Sequence, residues 1–407
     1  MKIISGGVCA PKGFKAGGIW CGIKAGSQKR DLALIYSEKS CAAAAMFTTN
    51  RVKAACVTVT REHIASGKLH AIIANSGNAN ACTGDAGIAA ARRMAELAAD
   101  EFALSPRHVA VASTGVIGVP FPLAAVENSI GALANSLRGD EAGHSAALEA
   151  IMTTDTRKKE TAAAIELGGI PVHIGGMAKG SGMIHPNMAT MLCFVTTDAT
   201  ISPELLEKSL RSAVTRSFNR LTVDGDTSTN DMIIIMANGA SGAAPISTEN
   251  ADYAVFTAAL EKACITLTRA MARDGEGATK MVTVTVNGAP DEETAETLAK
   301  SIAASSLVKA ACFGADANWG RILCAMGYSG APFNPDTTGV MFKSKAGEIH
   351  VFKGGEPLPF CEDQAKTILN EEEIEILIDL EGGNGNATAW GCDLTYDYVK
   401  INGDYRS

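Results

Sequence analysis

Short strand-like runs alternate with alanine-rich helical stretches along this chain, and that alternation limits the folds open to it. The predicted strands lie at residues 31–37, 54–60, 71–75, 108–113, 190–199, 231–239 and 281–287. The predicted helices cover residues 85–102 and roughly 250–272, and a third opens at Ser202-Pro203 with a capping hydroxyl and a proline in its first turn. Strands and helices are therefore both expected throughout.

Two predicted hairpins decide between the fold classes that such an alternation allows. Residues 161–176 read as a hairpin turning at Gly168-Gly169, and residues 339–352 read as a second one. Hairpins mixed with helices favour an α+β sandwich over a doubly wound parallel sheet. The chain shows no internal repeat and no low-complexity linker, so the boundaries between lobes are poorly marked.

Composition excludes several kinds of protein. Of the 407 residues, 46% are hydrophobic and 20% are charged, which is a globular balance rather than a disordered one. The net charge of −8 offers no basic field for a phosphate backbone, and 5% aromatic residues weaken any base-stacking interpretation. Nucleic acid is therefore not expected as a partner.

The cysteine pattern and the apolar runs indicate a soluble, cytoplasmic protein. The 11 cysteines are scattered singly from Cys9 to Cys392 without a CxxC pair, which is typical of reduced thiols. Glycines interrupt the first 18 residues, so we expect no signal peptide. The run at 232–237 is among the longest apolar ones and falls far short of the ~20 residues that span a bilayer.

In the segment "KGSGMIHPNMATML", residues 179–192, Thr190 places a hydroxyl group at the start of an apolar strand. Glycines and Pro186 permit a bent, exposed peptide there, and Ala189 is small enough for an attacking oxygen to approach. If Thr190 Oγ attacked the Ala189 carbonyl and water hydrolysed the resulting ester, Thr190 would become a chain terminus. Its own α-amine, with a pKa of ~7.7–8, could then act as the base that a threonine nucleophile needs.

Two interpretations of this junction remain open on the residues alone. One is self-cleavage before Thr190, which then performs nucleophilic chemistry. The other is an ordinary loop entering a strand, with Thr190 serving as a β-branched strand former.

Three further positions are candidates for the same chemistry. The predicted strand 108–113 runs into Thr114-Gly115, a turn that could aim two donors at a developing oxyanion, although most such turns are only turns. Glu276 lies between two glycines and is either a solvated loop charge or a group presented to a ligand. Lys179 could pair with a substrate carboxylate, although a lone lysine is usually on the surface.

Neither a metal nor a nucleotide cofactor is supported by the motifs. The carboxylates Asp224, Asp226 and Asp231 fail the EF-hand template, and we interpret their segment as a polar turn that organises the loop near the strand ends. The histidines show no HExxH or zinc spacing, and "GGNGNATAW" at 382–390 lacks the third glycine of a dinucleotide fingerprint. We therefore expect no cofactor.

Long blocks of the sequence match a known pattern: "APKGFKAGG" (10–18), "MFTTNRVKAA" (46–55), "NSGNANACTG" (75–84), "ASTGVIG" (112–118), "KGSGMIHPNMATML" (179–192), "SFNRLTVDGDTSTND" (217–231), "RDGEGATK" (273–280), "NWGRI" (318–322) and "AWGCDLTYDYVKINGDYRS" (389–407). Through these blocks the chain resembles the glutamate N-acetyltransferase, or ornithine acetyltransferase, family of arginine biosynthesis. Many long blocks in the right order are far more specific than any one motif.

The resemblance implies a layered α/β/β/α-type sandwich with a smaller C-terminal α/β lobe at roughly 285–400. It implies cleavage between Ala189 and Thr190 into an α chain, residues 1–189, and a β chain, residues 190–407. It also implies a Thr190 nucleophile and an oxyanion hole at Thr114 and Gly115. The implied substrate-binding residues are Thr154, Lys179, Thr190, Glu276, Asn402 and Ser407.

The implied reaction moves acetyl from N-acetylornithine to glutamate through an ester on Thr190, in a cytoplasmic α2β2 assembly. Acetyl-CoA is a further donor in some of these enzymes, and the residues do not decide whether it serves here. The alternatives are a self-processing amidohydrolase or aminopeptidase that uses the same threonine, and a binding protein that keeps the fold without catalysis.

Overall fold

The computed structural model describes residues 1–185 and 191–404. Nine strands of this part form one sheet: β1 (Lys2–Ile3), β2 (Phe14–Ile19), β3 (Leu32–Phe47), β4 (Lys68–Asn78), β5 (Val109–Val116), β6 (Lys159–Leu167), β7 (Ile170–Lys179), β8 (Leu192–Thr197) and β9 (Met232–Ala237). The helices that accompany it are α1 (Ala55–His63), α2 (Gly84–Asp100), α3 (Leu123–Glu127), α4 (Ile130–Asn135), α5 (Glu141–Ile151), α6 (Pro203–Thr215) and α7 (Ala251–Arg273). The strand order is β1-β6-β7-β8-β9-β3-β4-β5, with β2 paired to β3.

The long strand β3 joins the two halves of this sheet. Its first part, from Leu32 to Tyr36, pairs with β2 and β4, and its last part, from Ala42 to Phe47, pairs with β9. The β3–β4 register shifts between Tyr36 and Cys41. A single strand therefore pairs with both halves of the sheet.

Both faces of the central strands are covered, so every residue of β8 and β9 is buried. Phe194 and Ile234 belong to the apolar core shared with β3, β4 and α5, while Cys193 and Ile235 belong to the core formed with α6 and α7. Alternate side chains thus enter opposite cores, which explains why these strands read as continuous apolar runs.

A second sheet with its own core follows in the chain. Its strands are β10 (Met281–Ala289), β11 (Gly339–Ser344), β12 (Gly347–Lys353), β13 (Glu356–Pro357), β14 (Glu373–Asp379) and β15 (Gly385–Cys392), in the order β13-β12-β11-β14-β10-β15. The remaining described helices are α8 (Glu292–Ala304), α9 (Ser306–Phe313), α10 (Trp319–Gly327), α11 (Glu362–Leu369) and α12 (Tyr396–Asp404). The predicted α+β sandwich with a smaller C-terminal α/β lobe is confirmed, and the chain boundaries at residues 189 and 190 stay predictions.

Most of the predicted elements exist where the pattern placed them. The β6–β7 hairpin turns at Gly168-Gly169, both with positive φ, and the Ser202 hydroxyl caps α6 by accepting from the Leu205 N–H. Among the described helices, none has the length and apolar character that crossing a bilayer requires.

The predicted strand at 54–60 is wrong, because these residues enter helix α1. Val57, Thr58, Val59 and Thr60 are all β-branched, a composition that favours strands. Val57, Val59 and Thr60 are buried in the helix, so packing overrides the local preference.

A hydroxyl fixes α1 against the edge of the sheet. Thr60 Oγ1 donates to the Val111 carbonyl at 2.7 Å and accepts from the Val111 N–H at 2.7 Å. β5 pairs only with β4 within the described sheet, so the hydroxyl takes the place that a neighbouring strand would occupy at Val111.

Replacing Thr60 with valine should remove both bonds while keeping the shape of the side chain. The backbone groups of Val111 would be left buried and unpaired, which costs about 2 kcal/mol of unfolding free energy. Urea denaturation measures the change. The matched control is Thr58→Val, because Thr58 is exposed on the same helix; equal stabilities for the two variants would contradict this account.

Candidate active-site cleft

One cleft collects every predicted site residue that lies within the described part of the chain. These residues are Thr114, Gly115, Thr154, Lys179, Glu276 and Asn402. The predicted residues Ala189, Thr190 and Ser407 lie outside the described residues. Met191, which follows Thr190 directly in the chain, lines the same cleft. Six separate segments of the sequence, at 114–115, 154, 179, 191, 276 and 402, therefore meet at this cleft.

Strand pairing fixes that meeting point. Lys179, the last residue of β7, pairs with Leu192, the first residue of β8, and Leu192 pairs in parallel with Met232 of β9. The Met232 N–H also donates to the Met191 carbonyl at 2.9 Å. The chain thus leaves the sheet at Lys179 and re-enters it at Leu192, directly beside Lys179.

Gly115 marks a very close approach of β5 to β4. Its φ is 134°, and a Cβ atom built on it would lie 2.3 Å from the Gly77 carbonyl carbon and 2.6 Å from the Asn78 nitrogen. A side chain there would have to displace backbone atoms. The glycine that the sequence marked as a possible oxyanion donor is therefore required by the fold as well.

Lys179 is buried and extends from the end of β7 to the cleft wall. Its ammonium donates to Thr114 Oγ1 at 3.3 Å. Burial lowers the pKa of Lys179, whereas the nearby Asp155 charge raises it and the Lys159 charge lowers it. The resulting pKa of Lys179 lies below its ordinary value. An ammonium with so little contact with water gains strongly from an anionic ligand, so this position suits a carboxylate.

A buried ion-pair network lies behind this lysine. Lys159 Nζ lies 2.5 Å from Asp155 Oδ1 and 2.5 Å from Asp274 Oδ2, and all three side chains are almost inaccessible. Asp155 also accepts from the Gly180 N–H at 2.7 Å. The network ties the ends of β6, β7 and α7 together underneath the cleft.

Sequence reasoning missed this network. The only signal is a lysine four residues after an aspartate, and that spacing is common on exposed helices. Burial alone would raise the pKa of Asp155, but Lys179, Lys159 and the Gly180 N–H together lower it to about 2. The carboxylate therefore remains charged at neutral pH.

A polar corner forms another part of the cleft wall. Thr154 Oγ1 and Ser181 Oγ are 2.7 Å apart, and the Asn402 amide donates to Glu276 Oε2 at 2.9 Å. The Glu276 N–H donates to the Ser181 carbonyl at 2.9 Å. Asn402 lies on α12, which follows the second sheet in the chain, so both parts of the fold contribute to the cleft.

The loop that leads into the junction is held by the carboxylate segment. Asp224 accepts from the N–H groups of Met183 and Ile184 at 2.6 and 2.8 Å, and the Thr227 hydroxyl donates to the His185 carbonyl at 2.9 Å. The interpretation of this segment as a polar turn that organises the loop is confirmed. In residues 1–185 and 191–404, no group of three or more His, Cys, Asp or Glu side chains is placed to hold a metal ion.

Asp231 belongs to the cleft and was not predicted as a site residue. It precedes β9, is 3% exposed and lines the cleft near Met191. Its Oδ2 atom is buried and has no hydrogen-bond partner among residues 1–185 and 191–404. Burial raises the pKa of Asp231 well above its ordinary value, against the opposing effects of Ser228 hydrogen bonding and the Lys179 charge.

Comparison with known proteins identifies the family of this chain. The profile of the ArgJ family matches residues 15–407. The chain belongs to the ArgJ family. The family prediction and the predicted enzyme class, an acyltransferase, are confirmed by this match.

Two curated relatives match this chain over the whole length of both proteins. The chain is 52% identical to the arginine biosynthesis bifunctional protein ArgJ of Symbiobacterium thermophilum, with 100% of both chains covered. It is 50% identical to the protein of the same name from Caldanaerobacter subterraneus subsp. tengcongensis, again over 100% of both.

A solved structure is similar as well. The crystal structure of the arginine biosynthesis bifunctional protein ArgJ from Bacillus halodurans is 48% identical with a TM-score of 0.51, and the match covers 53% of this chain and 100% of that one.

Replacing Lys159 with methionine should test the ion-pair network, because two buried carboxylates would lose their common cation. Removing one partner from a buried pair costs about 3–5 kcal/mol of unfolding free energy. Urea unfolding provides the measurement, and Lys158→Met is the matched control because Lys158 is a neighbouring exposed lysine. A loss no larger than the control's would show that the network contributes little.

Proposed function

We propose that this enzyme transfers acetyl from N2-acetyl-L-ornithine to L-glutamate, through an acetyl ester on Thr190. The products would be L-ornithine and N-acetyl-L-glutamate. The observation that carries the proposal is the convergence of Thr114, Gly115, Lys179 and Glu276 on one cleft beside Met191, the residue directly after the proposed nucleophile.

Self-cleavage before Thr190 is part of the proposal. It would release an α-amine next to the Thr190 hydroxyl, and that amine would accept the hydroxyl proton during attack. The Bacillus halodurans match supports a divided chain, since one whole chain of that structure covers 53% of this one. Residues 190–407 make up 218 of the 407 residues here, which is nearly the same fraction.

Each side of the cleft suits one part of the reaction. Thr114 and Gly115 would stabilise the oxyanion that forms when Thr190 attacks the acetyl carbonyl. The Lys179 ammonium would hold the α-carboxylate that both substrates share. Glu276 and Asn402 would face the substrate tail, which is an ammonium in ornithine and a carboxylate in glutamate.

The chemistry needs no energy source. N-acetylornithine and N-acetylglutamate carry the same amide on the same α-amino group, so exchange of the acetyl group is nearly isoenergetic. A ping-pong enzyme can catalyse it if water is kept from the ester. We further propose a cytoplasmic α2β2 assembly without a cofactor, and acetyl-CoA as a second acetyl donor, in line with the word "bifunctional" in the relatives' names.

Changing the nucleophile should separate cleavage from folding. Thr190→Ala removes the hydroxyl, so the variant should run as one 42.1 kDa chain on a denaturing gel and transfer no acetyl. Wild type should give two bands near half that mass, and Thr190→Ser, which keeps a hydroxyl, should still be cut. A cut alanine variant would show that the scissile bond is elsewhere.

Substrate dependence should distinguish a transferase from a hydrolase. With N-acetylornithine as donor, steady ornithine release should require glutamate, because the acetyl ester must be discharged by an amine. Ornithine is measured by amino-acid analysis with and without glutamate, and glutamate acetylation is then compared with acetyl-CoA as donor. Release that ignores glutamate would favour the amidohydrolase alternative.

A further inference from the structure

Asp231 is a buried carboxyl group that the proposed transfer chemistry does not use. It is 3% exposed, and within the described part of the chain its Oδ2 atom has no hydrogen-bond partner. Buried polar atoms are almost always paired, so an unpaired one inside a cleft needs an explanation. A functional role is one such explanation, particularly where the protonation state is also perturbed.

The position of Asp231 is set by the sheet. β8 and β9 run parallel with Leu192 opposite Met232, and the Met232 N–H donates to the Met191 carbonyl at 2.9 Å. Asp231 is therefore the residue just before β9, and Met191 is the residue just before β8. The carboxyl group is held at the end of the sheet where the chain emerges from the junction.

The neighbouring residue makes this position rigid. The Asn230 amide donates to the Ala79 carbonyl at 2.6 Å and to the Ser113 carbonyl at 2.7 Å, while its Oδ1 accepts from the Thr229 hydroxyl. These bonds anchor residues 229–231 to Ser113 of β5, next to Thr114, and to Ala79, just after β4. The backbone that carries Asp231 is thereby held beside Thr114.

The burial of Asp231 determines its charge. A carboxylate with an unpaired oxygen in this environment would be costly, and burial raises the pKa of Asp231 well above its ordinary value. Lys179, on β7, and Glu276, in the turn after α7, are the other ionisable side chains that line the described cleft. Burial therefore favours the protonated, neutral form of the Asp231 side chain.

We propose that Asp231 is the proton-transfer residue for the self-cleavage that precedes catalysis. This inference rests on the proposed function, because it assumes the cut before Thr190. When the Thr190 oxygen forms its bond to the Ala189 carbonyl carbon, the hydroxyl proton must leave. When the carbon–nitrogen bond then breaks, the nitrogen must gain a proton to depart as an amine.

A neutral carboxyl group can perform both transfers. Asp231 gives its proton to the departing nitrogen and receives the hydroxyl proton on its other oxygen, so it ends as it began. The net change is one proton moved from oxygen to nitrogen, one C–O bond formed and one C–N bond broken. Water then hydrolyses the ester, giving the Ala189 carboxylate and the free Thr190 hydroxyl.

Asp231→Asn tests this proposal, because asparagine keeps the shape of the side chain but cannot relay a proton. General acid–base catalysis typically contributes about 10²–10⁴-fold, so we expect the cut to slow at least about 100-fold. Pulse-labelled chains from cell-free translation, followed on a denaturing gel, give the rate. Asp226→Asn, the same change at an exposed position in the same loop, should be cut like wild type.

The pH dependence of the wild-type cut provides a measurement that does not depend on how the variant folds. Asp231 acts as an acid only while protonated. After translation is arrested and the pH is raised, the rate should therefore fall as the pH passes the elevated pKa of Asp231. A rate that keeps rising with pH, or an Asp231→Asn chain cut as fast as wild type, would overturn the inference and leave the proposed function intact. A wild-type chain that is never cut would instead contradict the proposed function itself.

Discussion

The pairing of β8 with β7 on one side and with β9 on the other is the constraint on which the cleft depends. Lys179, Leu192 and Met232 form one row across the sheet, so three remote segments end at the same place. The hydrogen bond from the Met232 N–H to the Met191 carbonyl extends that row by one residue. Because these strands are buried on both faces, the row cannot shift without exposing two cores.

Two groups of buried charges lie around this row, one paired beneath the cleft and one facing it. Beneath the cleft, Lys159 forms ion pairs with Asp155 and Asp274, and Asp155 also accepts from the Gly180 N–H. Lys179 and Asp231 instead present a buried ammonium and a buried carboxyl group to the cleft, each with its pKa shifted towards the neutral form. The first arrangement gives rigidity, and the second is suited to anion binding and proton transfer.

The two parts of the fold meet at the polar corner. Asn402, on α12, donates to Glu276, which follows α7, and a Cβ atom at Gly182 would lie only 2.2 Å from the Glu276 carboxylate. The loop before the junction therefore packs directly against the group that we propose faces the substrate tail. A side chain at position 182 would therefore displace the Glu276 carboxylate.

The sequence by itself determined the element types, the hairpins and the candidate residues Thr114, Gly115, Lys179 and Glu276, because periodicity, turn chemistry and short motifs are local. It misjudged α1, where burial and the Thr60–Val111 bonds outweigh a β-branched run. It also could not reveal the Lys159 network or the unpaired Asp231 oxygen. Only the tertiary structure decided these features, because burial and charge pairing arise between residues far apart in the chain.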